Sequence, residues 1–153
     1  MITTKMKNIF RNQNGRNIIL TIILLFTPQF LSAQYYVKNA SELLNVLSSL
    51  VPGDTVIMAN GTWTNQHVIF DAFGAENDSI VLKAETPGHV ILTGTSTLRM
   101  RGKYLKVDGL RFEGGYSADD GVIEFRRGSS KAYHSRLTNT SVVNYNPESK
   151  GDD

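Results

Sequence analysis

Five basic residues in the middle of the chain have the types and spacing needed to hold a polyanion. Residues 95–136 carry nine basic and five acidic side chains, whereas residues 34–94 carry two and six. A guanidinium binds a carboxylate through two parallel hydrogen bonds, so an arginine-lined face suits an acidic glycan. The alternative is a solvated outer face, on which charges keep strands from aggregating. The candidate binding residues are Arg99, Arg101, Arg126, Arg127 and Lys131.

Other residue types that could do chemistry lack a suitable spacing. The histidines show no HxH or HxxE pattern, so we predict ordinary surface or turn residues and no zinc site. Asp119, Asp120 and Glu124 lack the Asp-x-Asp-x-Asp-Gly loop that holds calcium, and they are expected to be solvated turn acids. The serines lack a G-x-S-x-G elbow. The sequence therefore offers no catalytic residue and no metal ligand. The three histidines are His67, His89 and His134.

The N-terminus is predicted to be an export signal. Of the 153 residues, residues 1–33 contain four basic side chains and no acidic one. An apolar run of nine residues at 18–26 follows, then Pro28, and Ala33 is small enough to precede cleavage before Gln34. Nine apolar residues are too few to cross a bilayer core, which needs about 20. We expect a periplasmic or secreted protein with no membrane span in its mature chain.

The remaining residues, 34–153, are predicted to form one all-β domain. They hold 12 basic and 14 acidic residues, which argues against a nucleic-acid partner. There is no cysteine, so disulfides are excluded. Hydrophobic residues make up 41% of the chain, which is typical of a globular fold.

A single helix is predicted at residues 41–50. An apolar stripe at i, i+3, i+4 and i+7 runs from Leu43 to Leu50. Asn39 or Ser41 can supply the N-cap oxygen, and the Pro-Gly pair at 52–53 ends the segment. We expect this helix to cover the first coil of whatever follows it.

Short β-rich runs separated by glycine, asparagine and proline follow from residue 54. They include 67–70, 98–101, 122–126 and 133–143, the last broken. Such runs fit a β-sandwich or a solenoid.

The spacing of the runs favours the solenoid. Val56, Val81 and Leu105 recur at 25 and 24 residues, and three basic pairs, among them Arg111 and Arg136, recur at 25. The other two pairs are Arg101 with Arg126 and Lys106 with Lys131. Coincidence in a region rich in lysine and arginine is the alternative explanation of these pairs. We predict a right-handed parallel β-helix of about four coils behind the capping helix. The side chains expected to point inward are Leu82, Leu92, Leu98, Met100, Leu105, Val107, Leu110, Phe112, Ile123 and Phe125.

Several strings in this region resemble one enzyme family. They are NGTWT at 60–64, IVLKAETPG at 80–88, VILTG at 90–94 and LRMRGKYLKVDGLRFEGG at 98–115. In this order they are similar to the N-terminal coils of polysaccharide lyase family 6, the alginate lyases and chondroitinase B. The second string and the YLKVDGLRF part of the last are closer to the alginate lyases.

The resemblance implies β-elimination from an acidic, alginate-like polysaccharide. In that family a lysine and an arginine move the protons, and Ca²⁺ often supports the substrate carboxylate. No residue here matches those positions, so the resemblance implies an N-terminal part, inactive by itself, with Ca²⁺ possible only in the full-length enzyme. A non-catalytic glycan-binding or adhesin module and a pectate-lyase-like β-helix with another substrate remain open.

Overall fold

The computed structural model describes residues 32–117 and 121–145. The leader predicted at residues 1–33 lies outside this part except for its last two residues, and Asp119 and Asp120 also lie outside it. The described residues form one helix, α1, and fourteen strands. In chain order these are β1 (Gln34–Val37), α1 (Ala40–Leu47), β2 (Thr55–Met58), β3 (Gly61–Thr64), β4 (His67–Phe73), β5 (Ile80–Ala84), β6 (Val90–Gly94), β7 (Thr97–Lys103), β8 (Leu105–Asp108), β9 (Leu110–Gly115), β10 (Ile123–Glu124), β11 (Arg126–Arg127), β12 (Ser130–Tyr133), β13 (Arg136–Thr138) and β14 (Ser141–Val143).

The strands stack into three sheets that run along the length of the domain. The first sheet has the order β1-β2-β5-β8-β13, and the second has the order β14-β9-β6-β3. In the third, β4 pairs with β7, and β7 pairs with both β10 and β12. The pairs within all three sheets are parallel except the hairpin of β11 and β12. This topology confirms the predicted parallel β-helix.

Alternation along each strand builds the core. In the first sheet Val56, Leu82 and Val107 are in register, and in the second Trp63, Leu92 and Phe112 are in register. Since side chains alternate between faces, each of these rows points inward, and all six side chains are buried. The indole of Trp63 donates to the carbonyl of Ala59.

Most of the predicted inward residues are confirmed. Eight of the ten are buried, and Ile123 packs against the core while partly exposed. Phe125 was predicted inward and this is wrong, because its side chain is 41% exposed. It lies between the two-residue strand β10 and the hairpin, where the chain leaves the stack.

The predicted 25-residue pairing of basic residues is also wrong. Arg136 pairs with Lys106, which is 30 residues earlier, and Arg111 pairs with Ser141. The cause is an insertion in the third sheet, where the nine residues from Glu124 to Ala132 span only four residues of β7, Arg99 to Gly102. Five additional residues therefore enter this coil. In the earlier coils Val56 pairs with Leu82, one position later than predicted.

Helix α1 begins at a well-formed cap. The Asn39 side chain accepts from the backbone N–H of Glu42 at 2.8 Å, and the Glu42 carboxylate accepts from the N–H of Lys38 at 2.7 Å. These bonds satisfy N–H groups that a helix start leaves free. Leu43 is fully buried, and α1 packs on β4 and β1, so the helix covers the first coil as predicted. It ends at Leu47, three residues earlier than predicted.

A buried carboxylate closes the turn between α1 and β2. Asp54 is fully buried, and its two oxygens accept from the N–H groups of Ala33 and Val51 at 2.8 and 2.9 Å. The turn thereby holds both the start of β1 and the end of the helical segment.

The one helix in the described part of the chain, α1, is not long and apolar enough to span a membrane.

Candidate polyanion-binding face

The outer face of the third sheet displays a regular array of charged and aromatic side chains. Register places Ile69, Arg99 and Glu124 in one outward row, and it places Asp71 beside Arg101 in a second. A third row contains Phe73, Lys103 and Tyr133. The inward residues of β4 and β7 are buried, and the side chains that alternate with them point toward the outer face.

The β11–β12 hairpin adds further cations to this face. The hairpin contains the inserted residues, which follow β10. In it Arg126 pairs with Lys131, and Arg127 pairs with Ser130. The backbone N–H of Ala132 donates to the carbonyl of Phe125 and closes the hairpin. Register with β7 resumes at Ala132 and Tyr133. The insertion thus places three cations over the sheet without changing the strand that follows.

Asp71 accepts from two arginines that belong to different coils. Its Oδ2 lies 2.7 Å from a terminal nitrogen of Arg101 and 3.4 Å from one of Arg127. The Asp71 side chain is 12% exposed, so this pair of contacts is better shielded than an open surface ion pair. The three side chains tie β4, β7 and the hairpin together.

Glu124 forms a second cluster of the same kind. Its Oε2 lies 3.5 Å from Nε of Arg99 and 3.3 Å from Nε of Arg126. Desolvation raises the pKa of Glu124, but both guanidiniums and the N–H of Gly121 outweigh it, so the pKa lies below its ordinary value. Arg99 also donates to the carbonyl of Gly121 at 2.7 Å. Glu124 is therefore an ionised partner of two arginines, not the solvated turn acid that we predicted.

A groove of about 610 Å³ lies beside the Asp71 cluster, between β7 and the hairpin. Two of its walls are aromatic, and the residues that form them, Phe73 and Tyr133, are each 60% exposed. Three cations line the same groove. The lining residues are Phe73, Arg101, Gly102, Lys103, Ser129, Ser130, Lys131 and Tyr133.

The structure brings the five candidate binding residues onto one face. Arg99 and Arg101 lie on β7, Arg126 and Arg127 on β11, and Lys131 on β12. The four arginines contact the carboxylates of Asp71 and Glu124, whereas Arg101 and Lys131 also line the groove. With Lys103, this face carries six cations against these two described carboxylates. Binding by the five residues stays a prediction.

Three residues of the groove were missed by the sequence analysis. The predicted strands ended at residues 70 and 101, so Phe73 and Lys103 were left out, and Tyr133 was not recognised as an outward position. The predicted run 98–101 stops before Gly102, yet β7 continues through this glycine. Extending the alternation past Gly102 would have placed Lys103 beside Arg101 on the outer face.

The residues that the structure describes contain no group of three histidine or acidic side chains able to hold a metal ion. The three histidines lie apart. His67 shares a hydrogen bond with Thr97, and His134 stacks on Tyr104 at a centroid distance of 4.9 Å. The backbone N–H of His89 donates to the carbonyl of Thr86 in a turn.

Comparison with known proteins identifies relatives of this fold. The family described as Chondroitinase B matches residues 37–153. None of the curated proteins compared with the chain matches it.

Several solved structures are similar to the chain. A PL6 family alginate lyase, AlyGC, is 44% identical with a TM-score of 0.69, over 71% of this chain and 15% of that protein. The PL6 family polysaccharide lyase Pedsa3628 from Pseudopedobacter saltans is 34% identical with a TM-score of 0.67, over 76% and 26%. A mannuronic acid specific family 6 lyase from human gut microbiota is 25% identical with a TM-score of 0.67, over 78% and 28%.

The chain thus spans between about one seventh and three tenths of the length of these relatives. The matched segment nevertheless includes the capping helix and most of the three stacked sheets. By its family match and by its structural similarity, this chain belongs to polysaccharide lyase family 6, the chondroitinase B family.

Proposed function

We propose that the chain forms the N-terminal coils of an exported lyase that cleaves alginate-like polyuronate, and that the outer face of its third sheet binds the polyanion. The observation that carries the binding role is the excess of six cations over two described carboxylates on that face. Similarity to alginate lyases supports the choice of substrate.

The reaction proposed for the complete enzyme is β-elimination. A base removes the C5 proton of a uronate, the electron pair forms the C4=C5 double bond, and the bond from C4 to the glycosidic oxygen breaks. An acid protonates the departing oxygen, and a cation offsets the carboxylate charge while the carbanion forms. We assign no residue of this chain to the base or the acid, so the chain by itself is expected to be inactive.

The binding role follows from simple electrostatics. A polyuronate presents one carboxylate per sugar unit, so its charges repeat along the chain as the cations repeat along the sheet. Asp71 and Glu124 hold the four arginines in place, and Lys103 and Lys131 add charge that these two carboxylates do not offset. Exposed charges are screened beyond about 8 Å at physiological ionic strength, so the attraction must weaken with salt.

The test uses the full chain and soluble or immobilised alginate. We expect retention on alginate resin at low salt, earlier elution as salt rises, and no growth of the ultraviolet absorbance of an unsaturated uronate. The Arg101→Ala/Lys131→Ala variant should elute at clearly lower salt. The matched control, Lys83→Ala/Lys106→Ala, removes the same charge from the outer face of the first sheet and should elute close to the wild type.

Three outcomes would contradict the proposal. Turnover of alginate by the chain alone would show that it holds a complete catalytic site. Equal loss of retention in both double variants would show that net charge, and not the third-sheet face, governs binding. Retention that is unaffected by mutation, with no turnover, would favour a different binding surface.

A further inference from the structure

The third outward row of the third sheet is a ladder of two aromatic rings and a lysine. Phe73 on β4 is in register with Lys103 on β7, and Lys103 is in register with Tyr133 on β12. Adjacent strands lie about 4.8 Å apart, so the two rings are separated by about 10 Å along the stack. That distance is comparable to the length of two pyranose units.

Both aromatic residues of this row are largely exposed to solvent. Phe73 and Tyr133 are each 60% exposed, whereas Phe70, three residues before Phe73 on the same strand, is fully buried. A single exposed aromatic side chain is common, but two rings flanking one concave surface mark a place where a ligand removes apolar area from water.

Cations surround the rings on the same groove. Arg101 and Lys131 line it together with Lys103, and two serine hydroxyls, of Ser129 and Ser130, complete the wall. The ammonium of Lys103 lies 5.9 Å from the centroid of the Tyr104 ring, which is itself stacked on His134. Among the described residues, Lys103 forms no ion pair with a carboxylate.

We propose that this groove is a binding subsite for three consecutive uronate units, an inference that rests on the proposed polyuronate binding. The faces of the first and third sugar rings stack on Phe73 and Tyr133, and carboxylates of the bound units meet Lys103 and Lys131. A pyranose ring offers an apolar C–H face together with polar edges, which matches aromatic walls bordered by donors. Cations without described acidic partners select a uronate over a neutral sugar.

The two ring positions distinguish this subsite from a merely basic surface. A surface that binds by charge alone would bind any polyanion, and its affinity would fall at high salt. Stacking buries apolar area, and its contribution is not screened by ions. Loss of one ring should therefore lower affinity by the same factor at low and at high salt, whereas loss of a lysine should matter mainly at low salt.

The experiment is calorimetric titration of the full chain with an alginate tetrasaccharide at two salt concentrations. We expect Tyr133→Ala and Phe73→Ala each to weaken binding about tenfold, because burying some 60 Å² of ring surface corresponds to about that factor. Tyr133→Phe keeps the ring and should bind within about twofold of the wild type. Lys131→Ala should weaken binding at low salt and reduce its salt dependence.

Two controls make the result specific to the groove. Tyr36→Ala removes an aromatic side chain that is 51% exposed on β1, outside the groove, and should leave affinity unchanged. A neutral glucan tetrasaccharide should bind much more weakly than the alginate one. The alanine variants should keep the wild-type far-ultraviolet circular dichroism, since both rings are largely solvent-exposed.

Failure of the subsite and failure of the proposed function give different results. If the wild type binds the tetrasaccharide and both ring variants bind equally well, the subsite is wrong while the basic face stands. Equal affinity for a sulfated polymer without sugar rings would also overturn the subsite. If the wild type binds no alginate, both the proposed function and the subsite are wrong.

Discussion

Leu92 and Val142 occupy the same inward row of the second sheet, yet their environments differ completely. Leu92 is fully buried, whereas Val142 has 51% of its side chain exposed. Strand β6 lies between β3 and β9, while β14 has β9 as its only neighbour among the strands that the structure describes. In a stack of coils, burial is therefore decided by the neighbours on both sides of a strand and not by the strand's own sequence.

Truncation of each of the two side chains tests whether this difference in burial is also a difference in stability. Leu92→Ala should lower the free energy of unfolding by about 4 kcal/mol, since it leaves a cavity between two coils. Val142→Ala should cost less than about 0.5 kcal/mol, because half of that side chain already meets water. Urea unfolding of the full chain measures both. A similar cost for the two variants would show that the β14 row is covered as well as the β6 row.

A second contrast concerns two glycines, one inside the stack and one in the inserted hairpin. A Cβ on Gly102 would lie 1.8 Å from the carbonyl oxygen of Ala72 on the neighbouring coil, and its φ of +112° disfavours any side chain. Gly102→Ala should therefore cost about 3 kcal/mol, the sum of a backbone clash and conformational strain.

Gly128 provides the matched control for that substitution. It also has a positive φ, +59°, but nothing lies within 4 Å of its Cβ position. Gly128→Ala should cost only about 1 kcal/mol, the strain alone. Equal costs in urea unfolding would show that adjacent coils can separate locally, which contradicts a rigid stack.

A smaller effect than that of Leu92→Ala or Gly102→Ala is expected at the connection between β8 and β13. The Asp108 carboxylate accepts from the hydroxyl of Thr138 at 2.5 Å and from the amide of Asn139 at 2.7 Å. The Thr138 bond is the main reason that the pKa of Asp108 lies below its ordinary value. A carboxyl with a depressed folded-state pKa stabilises the fold above its unfolded pKa of about 3.9, and that contribution is lost as pH falls through the folded-state pKa.

Asp108→Asn should thus lower stability at neutral pH by about 0.5–1 kcal/mol. The difference from the wild type should shrink as pH falls below about 4 and should vanish once Asp108 is protonated. Unfolding curves over that pH range test this expectation, with Glu76→Gln as a control at an exposed turn. A difference that stays constant with pH would mean that the charge of Asp108 is irrelevant to the connection.

The interior of the fold was predictable because its signal is local. Alternation within a strand identifies the inward side chains whatever the loop lengths are, so the rows of Leu82, Leu92 and Leu98 were correctly predicted. The apolar stripe of the capping helix is equally local. Strand β1 was missed, because it precedes the helix and its four residues carry no turn signal on the N-terminal side.

The outer face was only partly predictable because it depends on register. Asp71 and Arg127 are 56 residues apart and meet only because three coils and one insertion place them together. Whether these two residues come into contact depends on the sum of all intervening turn lengths, and no local sequence pattern indicates that sum. The cationic character was visible in composition, but the acidic partners and the aromatic rows were not.

The hairpin insertion changes the outer face of the third sheet without changing the stack of strands beneath it. Five residues were added to one coil, yet Arg136 still meets Lys106 and the following strand runs in register. The five additional residues therefore stay within the hairpin and do not shift the register of β13, the strand that follows. The hairpin can gain, lose or exchange residues with little effect on stability. Residues of the proposed binding face can therefore change in ways that the buried rows of the core do not allow.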